Sequence, residues 1–258
     1  MTERTADLQK QMIDSIKNST NSKKIGIAFS GGVDSTLLAK LCSDIGYDIT
    51  LLTIGFEGSH DVEFSKKIAD LLGFKHIVDV ISSKSFSEVA KKVRQTIKTE
   101  NLSWNENCIA FYYVSKLAKA HEIETVLTSN GIDELFCGYN AYREAIDEGK
   151  EAVMKLMDVK LDNEIQMMKA VNLISSEYQV KILQPFLSKE FIEFAKKIPI
   201  TEKIKDKDDL IRKHIVRKLA VSIKVPEESA LKRKKALQYG SLIHKNLIKV
   251  KKTWNKTF

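Results

Sequence analysis

Apolar residues in this chain follow two rhythms that take turns. Short apolar-rich runs at 25–29, 49–54, 76–81 and 124–128 read as strands, and the run at 49–54 has the continuous apolar character of a buried parallel strand. Between them the apolar positions recur every three or four residues, the period of a helix with one buried face. Leu8, Met12, Ile13 and Ile16 mark a helix over 7–18. Val33, Leu37, Leu38 and Leu41 mark a second, and Phe64, Ile68, Leu71 and Leu72 a third that ends at Gly73. Ser85 is read as the cap of a fourth, striped by Phe86, Val89, Ala90, Val93 and Ile97, and Ile109, Tyr113 and Leu117 mark a fifth. Strands alternating with helices predict an α/β fold with a doubly wound parallel sheet, which takes its ligands at the carboxyl ends of the strands. Beyond about residue 140 the strand signal fades and stripes such as Phe191, Phe194, Ala195 and Ile198, or Ile211, Ile215 and Leu219, dominate. The expected division is an α/β domain over 1–140 and a mostly helical part over 141–258 that completes the active site. No linker separates them.

Two strand-end loops carry the candidate chemistry. The first, Ser30-Gly31-Gly32-Val33-Asp34-Ser35, sits between a strand and a helix. Bare backbone N–H groups and a positive helix end meet there, which suits phosphate. Glycines allow close approach of the backbone, and Ser30 and Ser35 add hydroxyl donors. Asp34 would repel phosphate and makes sense as a ligand of phosphate-bound Mg²⁺. The string is neither GxxxxGK[ST] nor GxGxxG. The second loop, 128–139, again follows a strand and again joins glycine to acid, in Asn130-Gly131-Ile132-Asp133-Glu134. Asp34 and Asp133 could hold one Mg²⁺–pyrophosphate between them.

Composition sets the class. At 258 residues the chain can bury a sizeable core, and it has no apolar run long enough to span a membrane. Residues 1–24 are polar and carry no signal-peptide core. Cys42, Cys108 and Cys137 are scattered, which suggests neither disulfides nor a zinc site and fits a reducing cytoplasm. The net charge of +8 is concentrated late, in Lys232-Arg233-Lys234-Lys235 and a lysine-rich tail. The five histidines form no ligand pattern, and His60 is the one nearest a candidate loop. Trp104 is read in a loop before a helix, and Asp61 as an acid in a first helical turn.

Ser-Gly-Gly-Val-Asp-Ser resembles the pyrophosphate loop of the ATP pyrophosphatases, which cut ATP to AMP and pyrophosphate. Together with the segment 128–139 it resembles the synthetase domain of the asparagine synthetase family, whose second loop reads Ser-Gly-acid-Gly-small-Asp-Glu-Leu-Phe-Gly-Gly-Tyr. Further likenesses follow in order: 53–61 to the adenine-side loop, 183–188 to a Pro-Phe-Leu-Asp segment, 213–218 to a Lys-x-x-Leu-Arg helix, and 233–241 to a closing Arg-x-Lys-Lys-x-x-Gln-x-Gly-Ser segment. They span residues 20–241. The resemblance implies a fold of the ATP pyrophosphatase (adenine nucleotide alpha hydrolase-like) type, with ATP and Mg²⁺ as cofactors. It also implies an AMP-forming ligase that adenylates a carboxylate, aspartate by family default, and passes the acyl group to an amine or ammonia. Carried over residue by residue, Ser30, Gly31, Gly32 and Ser35 cradle pyrophosphate, and Phe29 and Ile54 line the nucleotide. Thr128 and Ser129 contact it, Asp34 and Asp133 hold Mg²⁺, and Lys234 faces the acyl-adenylate.

The departures are Ser129 and Cys137 in place of glycines and Asn130 in place of an acid thought to assist ammonia deprotonation. An amide accepts no proton at neutral pH, so another base serves, or free NH₃ enters, or the substrate differs. Thr2 stands where the family's glutaminase half has its catalytic Cys. The expected nitrogen source is therefore ammonia, a separate glutaminase chain or another amine. A homodimer is among the expected assemblies. Two rival readings stay open. One is a tRNA-modifying ATPase of the same superfamily, which the basic cluster favours and the absence of C-x-x-C pairs disfavours. The other is a non-catalytic nucleotide-binding relative.

Overall fold

A computed structural model describes residues 2–231 and 237–254. The elements run α1 (Glu3–Ser19), β1 (Lys24–Ala28), α2 (Val33–Asp44), β2 (Asp48–Gly55), α3 (His60–Leu72), β3 (His76–Val80), α4 (Ser83–Ile97), α5 (Leu102–Ala120) and β4 (Thr125–Leu127). They continue with α6 (Ile132–Leu135), α7 (Ala141–Glu148), α8 (Lys150–Ser175), β5 (Lys181–Leu183), α9 (Lys189–Lys197), α10 (His214–Ser222), α11 (Glu227–Ala230), α12 (Leu237–Gly240) and α13 (Ile243–Trp254). The five strands form one parallel sheet in the order β3-β2-β1-β4-β5.

Neighbouring residues on a strand point to opposite faces, and the sheet divides its apolar residues accordingly. Ile25, Ile27, Leu51 and Leu127 join the core built with α1, α2 and the helices that follow α6, while Leu52, Ile54, Val126 and Ile182 join the core under α4, α5 and α13. The doubly wound α/β class expected from the alternation is the observed one. Helix α8 is unusual in serving both cores. Val153, Met157 and Leu161 belong to the first, and Met167, Met168, Val171 and Ile174 to the second. Its 26 residues span about 39 Å at 1.5 Å per residue, enough to cross the end of the sheet.

Several sequence expectations need correction. Strand β5 lies in the part expected to be mostly helical, where the sequence pattern assigns no strand. Three residues give too little alternation to register, yet Ile182 is buried beside Val126. Ser82 rather than Ser85 precedes α4. Trp104 lies inside the first turn of α5, after the Asn101 cap, and its indole N–H donates to Asn163 Oδ1 at 3.0 Å. Gly73 does close α3 in the left-handed conformation, at φ 66°, and Asp61 does lie in the first turn of that helix.

Candidate active site

The order 3-2-1-4-5 reverses between β1 and β4, and a crevice at such a switch point is where open parallel sheets bind ligands. Both candidate loops open onto it. The first leaves β1 through Phe29 and Ser30 and enters α2 with Gly32 at the cap. Gly31 makes the turn at φ 75°, with Phe64, Ser65 and Ile68 packed 3.1–3.3 Å from where a Cβ would stand. Gly32 has an ordinary backbone and meets only Ser30 Oγ at 3.4 Å, so the backbone alone does not demand glycine there. Ser35 Oγ accepts from the Ser30 N–H at 3.3 Å and donates to the Gly32 carbonyl at 3.2 Å. The result is a closed loop around the N-terminus of α2, whose N–H groups suit an anion.

The second loop leaves β4 and turns at Gly131, where φ is 102° and a Cβ would lie 2.6 Å from the Phe186 carbonyl oxygen. That turn starts α6 and puts Asp133 next to Asp34. The two carboxylates converge on a single cation, the ammonium of Lys213. Its Nζ lies 2.6 and 2.9 Å from the Asp34 oxygens and 3.0 Å from Asp133 Oδ1. Lys213 is 1% exposed. Burial pulls its pKa down, and the charge and hydrogen bond of Asp34 oppose that.

The sequence reading placed 213–218 in a helix without assigning Lys213 a role. One signal was available. A lysine at the start of a helix faces the positive end of the dipole, where cations are disfavoured. Lys213 caps α10 from a left-handed backbone, φ 54°, and Arg212 before it is also left-handed, φ 48°. Such residues are strained and persist only where their surroundings fix them. Asp209 Oδ1 accepts the Ile211 and Arg212 N–H groups at 3.1 and 3.0 Å, and its Oδ2 lies 2.6 Å from His214 Nε2. Burial alone would raise the Asp209 pKa. The Arg212 and Lys205 N–H groups and His214 overcome that and hold it at about 2. Arg212 also donates to the Gly138 carbonyl, and Arg217 to the Arg212 and Ala230 carbonyls.

Phe29, Ser30, Gly32, Asp34, Ser35, Ile54, Thr128, Ser129, Asn130 and Asp133 all line one cavity of about 270 Å³. Gly31 shapes its rim without lining it. Lys234 lies outside the described residues, as do Lys232, Arg233 and Lys235. His60, Asp61 and Lys213 line the same cavity. Cys137 is fully buried and burial pushes its thiol up to about 12, so it is a protonated packing residue in a left-handed turn, φ 60°.

The far wall comes from α5 and α8. Lys160, Asn163, Glu164 and Met167 fall on one face of α8 and line the cavity. Asn130 Nδ2 donates to Glu164 Oε1 at 2.5 Å, and the Thr128 hydroxyl donates to Asn130 Oδ1. Glu134 is engaged from within its own loop, by the Gly131 N–H at 3.1 Å and the Tyr139 hydroxyl. Burial drives the pKa values of both Glu134 and Glu164 up, and the charge of Glu164 raises that of Glu134 further.

Among the described residues no three His, Cys, Asp or Glu side chains gather as a ready metal cage. Two hard carboxylate oxygens converging beside a phosphate-type loop fit Mg²⁺, which takes one or two protein carboxylates and shares the rest of its sphere with phosphate and water. No helix among the described residues is long and apolar enough to cross a membrane.

Comparison with known proteins gives a consistent result. The family model described as Asparagine synthase matches residues 7–184 and 166–254. A candidate asparagine synthetase of the glutamine-hydrolyzing kind from Methanocaldococcus jannaschii is 30% identical over 98% of this chain and 53% of its own length. The glutamine-hydrolyzing asparagine synthetase 1 of Bacillus subtilis is 31% identical over 54% of this chain and 23% of its own. The chain thus spans about half the length, or less, of these relatives. Among solved structures, the NMN synthetase of Francisella tularensis aligns over 92% of this chain and 76% of its own, at 16% identity and a TM-score of 0.49. That likeness is too distant to bear on the chemistry.

Proposed function

Given that the chain belongs to the asparagine synthase family, we propose that it is an ATP-dependent, AMP-forming amide ligase. A carboxylate oxygen of the acid attacks the α-phosphorus of ATP and pyrophosphate leaves. An amine, ammonia in the simplest case, then attacks the acyl carbon of the adenylate and AMP leaves.

The observation that carries this reading is the convergence of Asp34 and Asp133, from neighbouring strand ends, on the Lys213 ammonium beside the N-terminus of α2. The Gly32 end of α2 and the Ser30 and Ser35 hydroxyls bind the departing pyrophosphate, because their dipoles are fixed before charge develops. Phe29 and Ile54 supply an apolar wall for the nucleotide, with Thr128 and Ser129 at its polar edge. Asp34 and Asp133 would hold Mg²⁺, which, when bound, neutralises charge on the phosphates. Lys213 adds a buried cation to the same centre. Lys234 supplies a further cation to the acyl phosphate by the family pattern. Lys160, half-buried on the cavity wall over the Tyr139 ring at 5.4 Å, suits a second carboxylate on the acid, as aspartate has.

The test is ATP–pyrophosphate exchange and AMP release with Mg²⁺, across the amino acids, with and without ammonium. Exchange that depends on one acid, and AMP release that then depends on ammonium, is expected. AMP formation that requires RNA and ignores free acids would replace this reading with the tRNA-modifying one.

A further inference from the structure

Amide formation from an adenylate needs a base, and Asn130 cannot be one. The cavity holds a carboxylate in hydrogen-bond reach of Asn130 that comes from a distant part of the chain. The geometry points to Glu164 as the group that takes the proton from the attacking amine, with Asn130 as the residue that positions it. This inference rests on the ligase reading and adds a catalytic residue to it.

Three observations carry it. Glu164 lines the cavity, on a wall facing the two strand-end loops. Its side chain is fixed rather than searching, because Asn130 Nδ2 donates to Oε1 and Asn130 is itself held by the Thr128 hydroxyl. Asn130 thus stands beside a carboxylate, and the acid that its own position lacks is present one hydrogen bond away. The competing carboxylate, Glu134, has its two oxygens engaged by the Gly131 N–H and the Tyr139 hydroxyl and serves the α6 turn.

The proton balance is simple. A neutral amine attacks the acyl carbon, forming the C–N bond. One N–H proton passes to the Glu164 carboxylate, and the acyl C–O bond breaks with its electron pair going to AMP. Glu164 then returns the proton to solvent. Burial raises the affinity of Glu164 for that proton, which brings a carboxylate closer to the pH at which a general base is most effective. The charges around it act in both directions. Glu134, Asp133 and Tyr139 line the same cavity from the second loop, Asp34 and Lys213 from the phosphate side, and Lys160 from one turn earlier on α8. His60 and Asp61 lie on the α3 side of the same cavity, and α5 presents the uncharged Ser103 and Asn107.

The experiment separates the two half-reactions, using the amino acid that gives the strongest exchange and either ammonium or hydroxylamine as nucleophile. Glu164→Gln should keep ATP–pyrophosphate exchange within a few-fold and lose amide formation from ammonium by roughly 100- to 10,000-fold, the span of general-base catalysis. Hydroxylamine is a weaker base, largely unprotonated near neutrality, and should be affected less. The wild-type amide-forming rate should rise with pH along a limb displaced above the ordinary carboxylate range, and the limb should vanish in Glu164→Gln. Glu164→Asp should recover part of the rate. So should Asn130→Glu placed on Glu164→Gln, because it returns a carboxylate to the neighbouring position. Equal losses in exchange and in amide formation would make Glu164 structural and overturn the inference. So would an unchanged rate and pH profile, with the ligase reading left standing in that case. Absence of exchange in the wild type with every acid would remove the ligase reading itself.

Discussion

The two sides of the cavity are built on opposite principles. On the phosphate side two loops, each next to its own strand, meet at Lys213, and every charge has a partner: Asp34 and Asp133 share one ammonium. On the amine side the polar groups come from a loop and from the middle of a long helix. There two buried carboxylates, Glu134 and Glu164, sit near each other, with burial raising both pKa values. The first side is arranged to hold charge fixed, the second to keep a proton exchangeable. In the reaction proposed above, fixed charge would serve the step in which pyrophosphate leaves, and an exchangeable proton the step in which an amine enters.

That contrast breaks most sharply at the metal–phosphate clamp. Asp34→Asn or Asp133→Asn should reduce AMP formation by on the order of 100- to 1000-fold, the effect of removing one preorganised charge-stabilising group. The protein should stay folded, because Lys213 keeps the other carboxylate. ATP–pyrophosphate exchange together with circular dichroism checks both parts. Near-normal exchange in a folded Asp34→Asn protein would remove the clamp from the mechanism.

Lys213→Met probes the same centre by stability. It leaves two half-buried carboxylates facing each other without a cation; breaking a fully buried pair costs roughly 3–5 kcal/mol, which sets the upper end here. Thermal unfolding should show a large drop in Tm without Mg²⁺ and a partial recovery when Mg²⁺ is added. No recovery would mean that the two aspartates do not take up the ion. Lys234→Gln is the corresponding test for the segment beyond Leu231, with a loss of turnover and nearly unchanged ATP affinity expected, and milder effects for Arg233→Gln and Lys235→Gln.

Gly131→Ala should act on the turn that joins the two sides. It forces a left-handed backbone on a residue with a Cβ and drives that Cβ toward the Phe186 carbonyl, so a loss of about 1–3 kcal/mol is expected, read as a lower denaturant midpoint. The smallest effect is expected at Asp209. Its folded pKa, at about 2, lies below the ordinary 3.8. Its contribution is therefore present above the ordinary value and lost as pH falls through about 2. The stability difference between the wild type and Asp209→Asn should be constant at neutral pH and shrink on acidification. A difference that grew instead would show that the turn holding Lys213 does not depend on the charged form.

Much of this molecule was legible in its sequence because the relevant signals are local. A strand run, a Ser-Gly-Gly turn and a helix stripe lie within a dozen residues, so the phosphate loop, its helix and the parallel sheet follow from patterning and backbone chemistry alone. Asp34 and Asp133 stood out for the same reason: each is an acid in its own glycine loop. Strand β5 escaped because three residues carry no period, and its place in the sheet comes from pairing with β4. Lys213 and Glu164 escaped for a deeper reason. Each sits in a stretch of ordinary composition far from Asp34 in the chain, Lys213 by 179 residues. Their roles are set by what they face across the cavity. The sequence by itself determined the fold class and the two loops, since local hydrogen bonding and apolar periodicity act between neighbours. Only the tertiary structure decided which cation the two aspartates share and which carboxylate stands beside Asn130, since charge and burial act through space between segments that the chain keeps far apart.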